Sequence, residues 1–380
     1  MDNQARDLGE IRKELDRIDR SMVELFQERM KLCGQVAETK ISSNRPVRDL
    51  EREKSKLETL KEMAEGDFNK RGVEELFIQI MAMSRKLQYG MMTKHGVIRR
   101  LPFMPVKKLV TENARILYQG VEGAYSQAAA IQFFGEDADF ANVKTWEDAM
   151  NALSGGRADY AVLPIENSSA GMVGDVYDLL VKYDNYIVGE TEVKVEHALL
   201  GLPEAGMEDI RVVYSHPQGL MQCSKFLSEH KDWEKISTDN TAGSAKKVLE
   251  DQDISQAAIA SERAGKLYGL KVLKAPINFN SANTTRFVIL SSQKIYREDA
   301  GKVSICFETA HESGALYNML SHFIYNNLNM TKIESRPMPG RTWEYRFFVD
   351  FEGNLSDPGV QNAIMGISEE AASLKILGNY

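Results

Sequence analysis

The feature that most constrains this chain is an apolar seam close to its start. Ile11, Leu15, Ile18, Met22, Leu25, Leu32 and Val36 recur at alternating steps of three and four residues, the rhythm of a helix that lays one face on other helices. The spacing predicts a helix of about thirty residues, ended by the turn-forming Ser42, Ser43, Asn44 and Pro46. A second helix is expected from Val47 to Ala64, then a break bracketed by Gly66 and Gly72, then a third helix that begins with Val73, Phe77 and Ile80. Three helices of such unequal length make a poor core on their own. The long seam therefore calls for a partner, and an intertwined homodimer is expected.

The seam contains charges where apolar residues belong. The same steps place Arg29 between Leu25 and Leu32 and bring Lys40, eleven residues further on, to nearly the same face. Either both cations face the bundle interior, or their stems pack while the charges snorkel to solvent. Ser84 and Gln88 continue the stripe of Phe77 and Ile80, and Asp49, Arg52 and Glu53 cluster within one turn of the second helix. Together they describe a polar pocket inside a helical bundle, lined by cations, an amide and carboxylates.

This segment resembles the all-helical chorismate mutase family over residues 1–92, most closely in RPVRDLERE (Arg45–Glu53). The resemblance implies that chorismate is bound by Arg12, Arg29, Lys40, Asp49, Arg52, Glu53, Ser84 and Gln88, with Lys40, Gln88 and Glu53 catalytic. Arg12 is seventeen residues from Arg29, or ~25 Å along a helix, and on another face. In a dimer of swapped long helices it reaches the partner's site, as the family uses that arginine. The chemistry suits these residue types. Rearranging chorismate to prephenate is pericyclic and asks only for a dicarboxylate held in its compact conformer, with donors against the ether oxygen where charge grows. Arg12 and Arg29 would clamp carboxylates, Lys40 and Gln88 would face the ether oxygen, and Glu53 with Asp49 would bind the ring hydroxyl or orient the cations.

Residues 93–112 form a basic stretch punctuated by Pro and Gly, expected to be a linker, with a docking strap as the alternative. From Ala114 short β-rich runs alternate with helical segments: ARILYQG, a helix through AAAIQFF, DYAVLPIEN, IVGETEVKVEHALLGL, VVYSHPQ and AAIASERA. This is the pattern of a mostly parallel α/β sheet whose ligand crevice lies at the strands' carboxyl ends. GVEGAYSQ, PIENSSAG, YSHPQ, NTAGSA and NTTRF stand there, rich in small polar side chains, and taken in this order they resemble prephenate dehydratase over residues 113–295. The resemblance implies a two-lobed α/β domain in which Thr285 is catalytic and prephenate is bound by Ser126, Asn167, Ser168, Thr241, Thr285, Arg286 and Phe287. Gln127, Ser215 and Gln218 are further anchors, and His216 offers either a structural hydrogen bond or proton transfer. Prephenate loses its ring hydroxyl and ring carboxylate, so a proton donor at the hydroxyl and dry surroundings for the leaving carboxylate are needed. A threonine hydroxyl is a very weak acid, so hydrogen bonding or proton relay by Thr285 is the expected role, with Glu166 the one obvious acid nearby. Around NTAGSA the family often shows Ser-Thr, whereas here Asn240 and Ala242 flank Thr241.

Residues 300–380 read VSICFE, a helix through SGALYNMLSHFIYNN, MTKIESR, YRFFVDF, a helix through DPGVQNAIMGISEEA and SLKIL. That order, βαββαβ, is an α+β ferredoxin-like unit. GALY (Gly314–Tyr317) and ESRP (Glu334–Pro337) resemble the amino-acid-sensing ACT domain. The resemblance implies feedback inhibition by phenylalanine, held between modules of two subunits by Gly314, Ala315, Leu316, Glu334, Ser335, Arg336 and Pro337. Alternatively, GALY is an ordinary helix start and ESRP a turn. Trp343 lies near this region or packs in the core.

The net charge of −8 argues against a nucleic-acid partner, although a local cation cluster still suits a small anion. The N-terminal stretch is charged throughout and no apolar run approaches the ~20 residues that span a bilayer, so no membrane association and a cytoplasmic location are expected. Cys33, Cys223 and Cys306 show no metal-ligand or disulfide spacing; no metal or cofactor is expected. A nicotinamide-binding GxGxxG is absent, which sets aside a mutase fused to a dehydrogenase. A non-catalytic sensor is the alternative from a different class, against which the charged bundle positions and Thr285 argue.

Overall fold

The computed structural model describes residues 7–43, 45–96 and 101–380. They fall into two compact units. One holds the chain up to Leu101 together with Phe307–Leu374, and the other holds Pro102–Cys306 with Lys375–Tyr380.

The first unit begins with three helices, α1 (Leu8–Ser43), α2 (Leu50–Glu62) and α3 (Asp67–Lys94). At 36 residues α1 is longer than the seam predicts. Ser42 and Ser43 do not end it, because both hydroxyls donate back to the Thr39 carbonyl, at 2.9 and 2.7 Å, and so remain compatible with the last turn. α2 starts later than Val47 because Asp49 is its N-cap, accepting from the Arg52 N–H at 3.1 Å. Gly66, at φ +75°, ends the turn before α3. Gly72 makes no second break; it lies inside α3, where a helical glycine costs only about 1 kcal/mol.

The seam of α1 lies open on the chain, with Leu15, Leu25 and Leu32 more than half exposed. By contrast α3 is covered along two faces and buries even Arg85, Lys86 and Gln88. One face meets α1 and α2, the other the helix Pro358–Glu370. That helix belongs to the C-terminal run of strand Lys302–Glu308, helix Ala315–Tyr325, strands Met330–Pro337 and Tyr345–Glu352, helix Pro358–Glu370 and strand Ser373–Asn379. Its two central strands pair antiparallel, Glu334 opposite Phe348 and Pro337 opposite Tyr345.

Besides a two-stranded sheet, the described residues of the second unit build two larger ones, each over its own apolar cluster. The first runs Tyr186–Lys194, Thr284–Ser291, Tyr160–Asn167, Arg115–Gln119, Asp139–Val143. The second runs Lys271–Lys274, Ala198–Gly201, Gln256–Ala260, Val212–Ser215, Glu234–Ser237. Neither is mostly parallel, as the sequence suggested. Thr284–Ser291 is antiparallel to both neighbours, and Ala198–Gly201 is antiparallel to both of its own. A strand buried on both faces reads as a continuous apolar run whichever way it points, so direction was not legible in FVILS. From Met104 on, the stretch after α3 is tied down and is not a free linker. Met104–Val106 is a strand paired in parallel with Ile295–Arg297, and the Val110 carbonyl accepts from the Tyr160 hydroxyl at 3.0 Å.

Candidate functional sites

Arg29, Lys40, Asp49, Arg52, Glu53, Ser84 and Gln88 all line one cleft of about 930 Å³ between α1, α2 and α3. Arg29 Nη1 donates to Ser84 Oγ at 2.5 Å, and Ser84 Oγ donates in turn to the Ile80 carbonyl at 2.7 Å. The charge on α1 therefore points inward and does not snorkel. Lys40 Nζ donates to the Val47 carbonyl at 2.5 Å, tying the end of α1 to the loop before α2. Burial lowers the Lys40 ammonium from its ordinary range, against the attraction of Asp49 and with the help of Arg52. Gln88 Nε2 donates to the Ser84 carbonyl at 3.2 Å, while its buried Oε1 has no hydrogen-bond partner among the described residues, a polar atom that a bound ligand can satisfy. Arg12 stands apart on the exposed length of α1 and does not line this cleft.

The structure adds a residue that pattern reading passed over. Arg85, only 6% exposed, also lines the cleft and grips both Glu53 oxygens through Nη1, at 2.9 and 2.8 Å. Its signal was available: Met81, Arg85 and Met92 form a second buried stripe of α3 with a charge in it, the same irregularity that marked Arg29.

In the second unit Thr285 sits directly opposite Asn167 in the antiparallel register. Asn167 Nδ2 donates to Thr285 Oγ1 at 2.8 Å and to Asn283 Oδ1 at 2.9 Å, and Asn167 Oδ1 accepts from the N–H groups of Ser169 and Ala170, both at 3.0 Å. Ser168 joins them, its Oγ accepting from the Thr284 N–H at 3.0 Å. The threonine oxygen thus receives a hydrogen bond, and its proton is left to point elsewhere. Donation into Oγ makes the hydroxyl a better donor, as hydrogen-bond chains polarise one another. This geometry suits a group that offers a hydrogen bond to a departing hydroxyl.

Other residues expected here take different positions. Arg286 is bound by Glu166 at 2.9 Å and Glu190 at 3.3 Å, and Glu190 also holds Lys302, so Glu166 is an ion-pair partner and not a solitary acid. Phe287 is 3% exposed within the apolar cluster under the sheet. It supports the strand from below and offers no surface to substrate, which corrects its assignment as a binding residue. Ser126 Oγ donates to the Gln119 carbonyl, and Gln127 Oε1 accepts from the Gly123 N–H at 2.7 Å. Ser215 and Thr241 flank Gly219, where an added Cβ would lie 2.6 Å from Ser215 Oγ and 3.3 Å from Thr241 Cγ2. His216 caps the helix Pro217–Gln222, its Nδ1 accepting from the Gln218 N–H at 3.2 Å, which favours the structural hydrogen bond over proton transfer. Burial lowers its imidazole, against the pull of Asp239. Neither Ser126 nor Thr241 hydrogen-bonds to the Thr285 cluster.

Near the C-terminus Gly314 takes φ +80° ahead of the helix Ala315–Tyr325, and Ala315 and Leu316 line a hollow of about 130 Å³ with Thr309, Glu312, Tyr345 and Phe347. Glu334, Ser335, Arg336 and Pro337 lie on the neighbouring strand with alternating exposure and do not line that hollow. Trp343 is 73% exposed, so core packing does not account for it.

Comparison with known proteins follows the same division. Residues 11–89 match the family model for chorismate mutase type II, and residues 116–295 that for prephenate dehydratase. The bifunctional chorismate mutase/prephenate dehydratase of Escherichia coli (strain K12) is 35% identical over 376 residues, covering 97% of this chain and 95% of that one. Among solved structures, a prephenate dehydratase from Arthrobacter aurescens in complex with L-Phe is similar at TM-score 0.65 and 29% identity, over 70% of this chain and 89% of that one. GqqA, described as a novel type of quorum quenching acylase, is similar at TM-score 0.62 and 32% identity, over 70% of this chain and 97% of that one. The chain belongs to the bifunctional chorismate mutase/prephenate dehydratase family, an enzyme of phenylalanine biosynthesis that carries both activities on one polypeptide.

Proposed function

We propose that the cleft between α1, α2 and α3 is where chorismate rearranges, and that the Thr285 cluster is where prephenate loses water and carbon dioxide. One observation carries the first assignment: seven polar residues scattered over sixty positions of sequence line a single cleft in a helical bundle. Arg29 clamps a carboxylate, Lys40 and Gln88 face the ether oxygen, Glu53 and Asp49 address the ring hydroxyl, and Arg52 and Ser84 complete the wall. Arg12 enters from a second copy. The exposed seam of α1 supports that reading, since a row of large apolar side chains is buried by a like row in a two-fold helical pairing.

For the second reaction Thr285 hydrogen-bonds the departing hydroxyl, while Asn167 and Ser168 hold it in place. Ser126 and Thr241 bind the far end of prephenate when the two lobes close on it, and Arg286, fixed by its carboxylates, shapes the floor. The C-terminal βαββαβ run is an ACT module that binds phenylalanine between two subunits, making the protein a homodimer through both its helical and its terminal domains. Supporting this, the L-Phe-bound relative covers 70% of this chain, more than residues 116–295 account for. Glu334–Pro337 also stand on a strand at the end of its sheet, where a second subunit can meet them. The domain limits follow as 1–92, 113–295 and 300–380. Cys33, Cys223 and Cys306 as thiols outside any disulfide fit a reducing, cytoplasmic setting.

Replacing Lys40 by Ala tests the mutase assignment. Chorismate consumption is expected to fall about 100-fold or more, with prephenate consumption within twofold of the parent; a normal mutase rate in Lys40→Ala overturns it.

A further inference from the structure

Arg85 links two elements with one rigid group. Its guanidinium holds Glu53 of α2 through Nη1 and Glu370, the last residue of the helix Pro358–Glu370, through Nε at 2.7 Å. Because the guanidinium is planar and its donors are fixed relative to one another, a shift of either carboxylate turns the plane and moves the other. The surroundings leave little slack. Glu370 is 4% exposed and its Oε2 lies 3.5 Å from His322 Nε2. On either side Lys86 Nζ donates to Ser321 Oγ at 2.7 Å and the Tyr89 hydroxyl to Glu369 at 2.9 Å. Glu53, at the other end, is the most exposed of the three and faces the cleft.

We propose that Arg85 is a positioning residue for the mutase reaction: anchored on Glu370, it fixes the Glu53 carboxylate in the cleft, so that the terminal helix sets how tightly chorismate is held. The inference rests on the reading of Glu53 as a group that meets substrate. It gives the C-terminal segment a direct mechanical hold on the mutase cleft within a single chain, since any movement of the last turn of Pro358–Glu370 passes through one side chain to Glu53.

The test is a double-substitution cycle on the full-length protein, with mutase kcat and KM measured for the parent, Glu370→Ala, Glu53→Gln and the pair. Glu370→Ala is expected to raise the KM for chorismate about tenfold with kcat within threefold, and to do nothing further in the Glu53→Gln background. Tyr89→Phe, which loosens the same helix contact without touching Arg85, is expected to keep KM within twofold. An equal effect of Glu370→Ala in both backgrounds, an unchanged KM in Glu370→Ala, or a matching effect of Tyr89→Phe makes Arg85 merely structural and overturns the proposal. If Glu53→Gln alone leaves mutase kinetics unchanged, the reading of Glu53 fails first and the proposal falls with it.

Discussion

Neutralising Glu370 should cost the first unit a measurable and pH-dependent amount of stability. Burial pushes its carboxyl upward, but the close approach of the His322 imidazole and the charge of Arg85 more than reverse this, holding it at about 2 against an ordinary 4.5. Each unit of such a difference is worth about 1.4 kcal/mol, so ionised Glu370 contributes about 3 kcal/mol at neutral pH. A carboxyl held below its unfolded value adds stability above that value and loses it as the pH falls towards the folded one. The contribution is therefore complete above about pH 5, less than half as large at pH 3, and gone below about pH 2. The side chain is almost wholly enclosed, so solvent screening takes little from this figure. Glu370→Gln keeps the shape and removes the charge. Amide hydrogen exchange in Pro358–Glu370, corrected for intrinsic rates and referenced to the strand Thr284–Ser291, reads the local difference. The reasoning fails if parent and variant differ by less than about 1 kcal/mol at pH 7, or if the difference is the same at pH 3.

Three further outcomes are expected. Asn167→Ala removes the donor to Thr285 and the acceptor for two loop N–H groups, so dehydratase kcat should drop about tenfold or more, with a stability loss of about 1–3 kcal/mol in thermal unfolding. Gly219→Ala places a methyl against buried Ser215, and should cost about 1–3 kcal/mol while leaving mutase kinetics as they were. Mixing Arg12→Ala with Arg29→Ala, each nearly inactive as a mutase, should restore about a quarter of the parent activity through hybrid dimers with one intact cleft; no recovery after subunit exchange rules out a shared site.

Much of the helical half could be read directly, because a charge inside a strict apolar rhythm has few explanations. Arg29, Lys40, Ser84 and Gln88 were visible for that reason. Arg85 interrupts an apolar stripe in the same way, but its role was not legible, since its partner Glu370 is hundreds of positions away in the chain and no local pattern pairs them. In the central half the strands were legible by composition, but their directions were not, and neither was the fate of Phe287, because a buried aromatic beside a motif reads the same whether it faces a ligand or a core. Small polar residues gave even less away. Ser215 donates to the Ile259 carbonyl and His216 caps a helix, roles any serine or histidine in a loop can take.

Following chorismate through two single-site variants tests the central claim most directly, that one chain performs two reactions at two separate places. Thr285→Ala should convert chorismate to prephenate at the parent rate and let prephenate accumulate, whereas Gln88→Ala should leave chorismate unconsumed yet turn added prephenate into phenylpyruvate. Phenylpyruvate formed at the parent rate by Thr285→Ala, or both reactions lost together in either folded variant, contradicts the account.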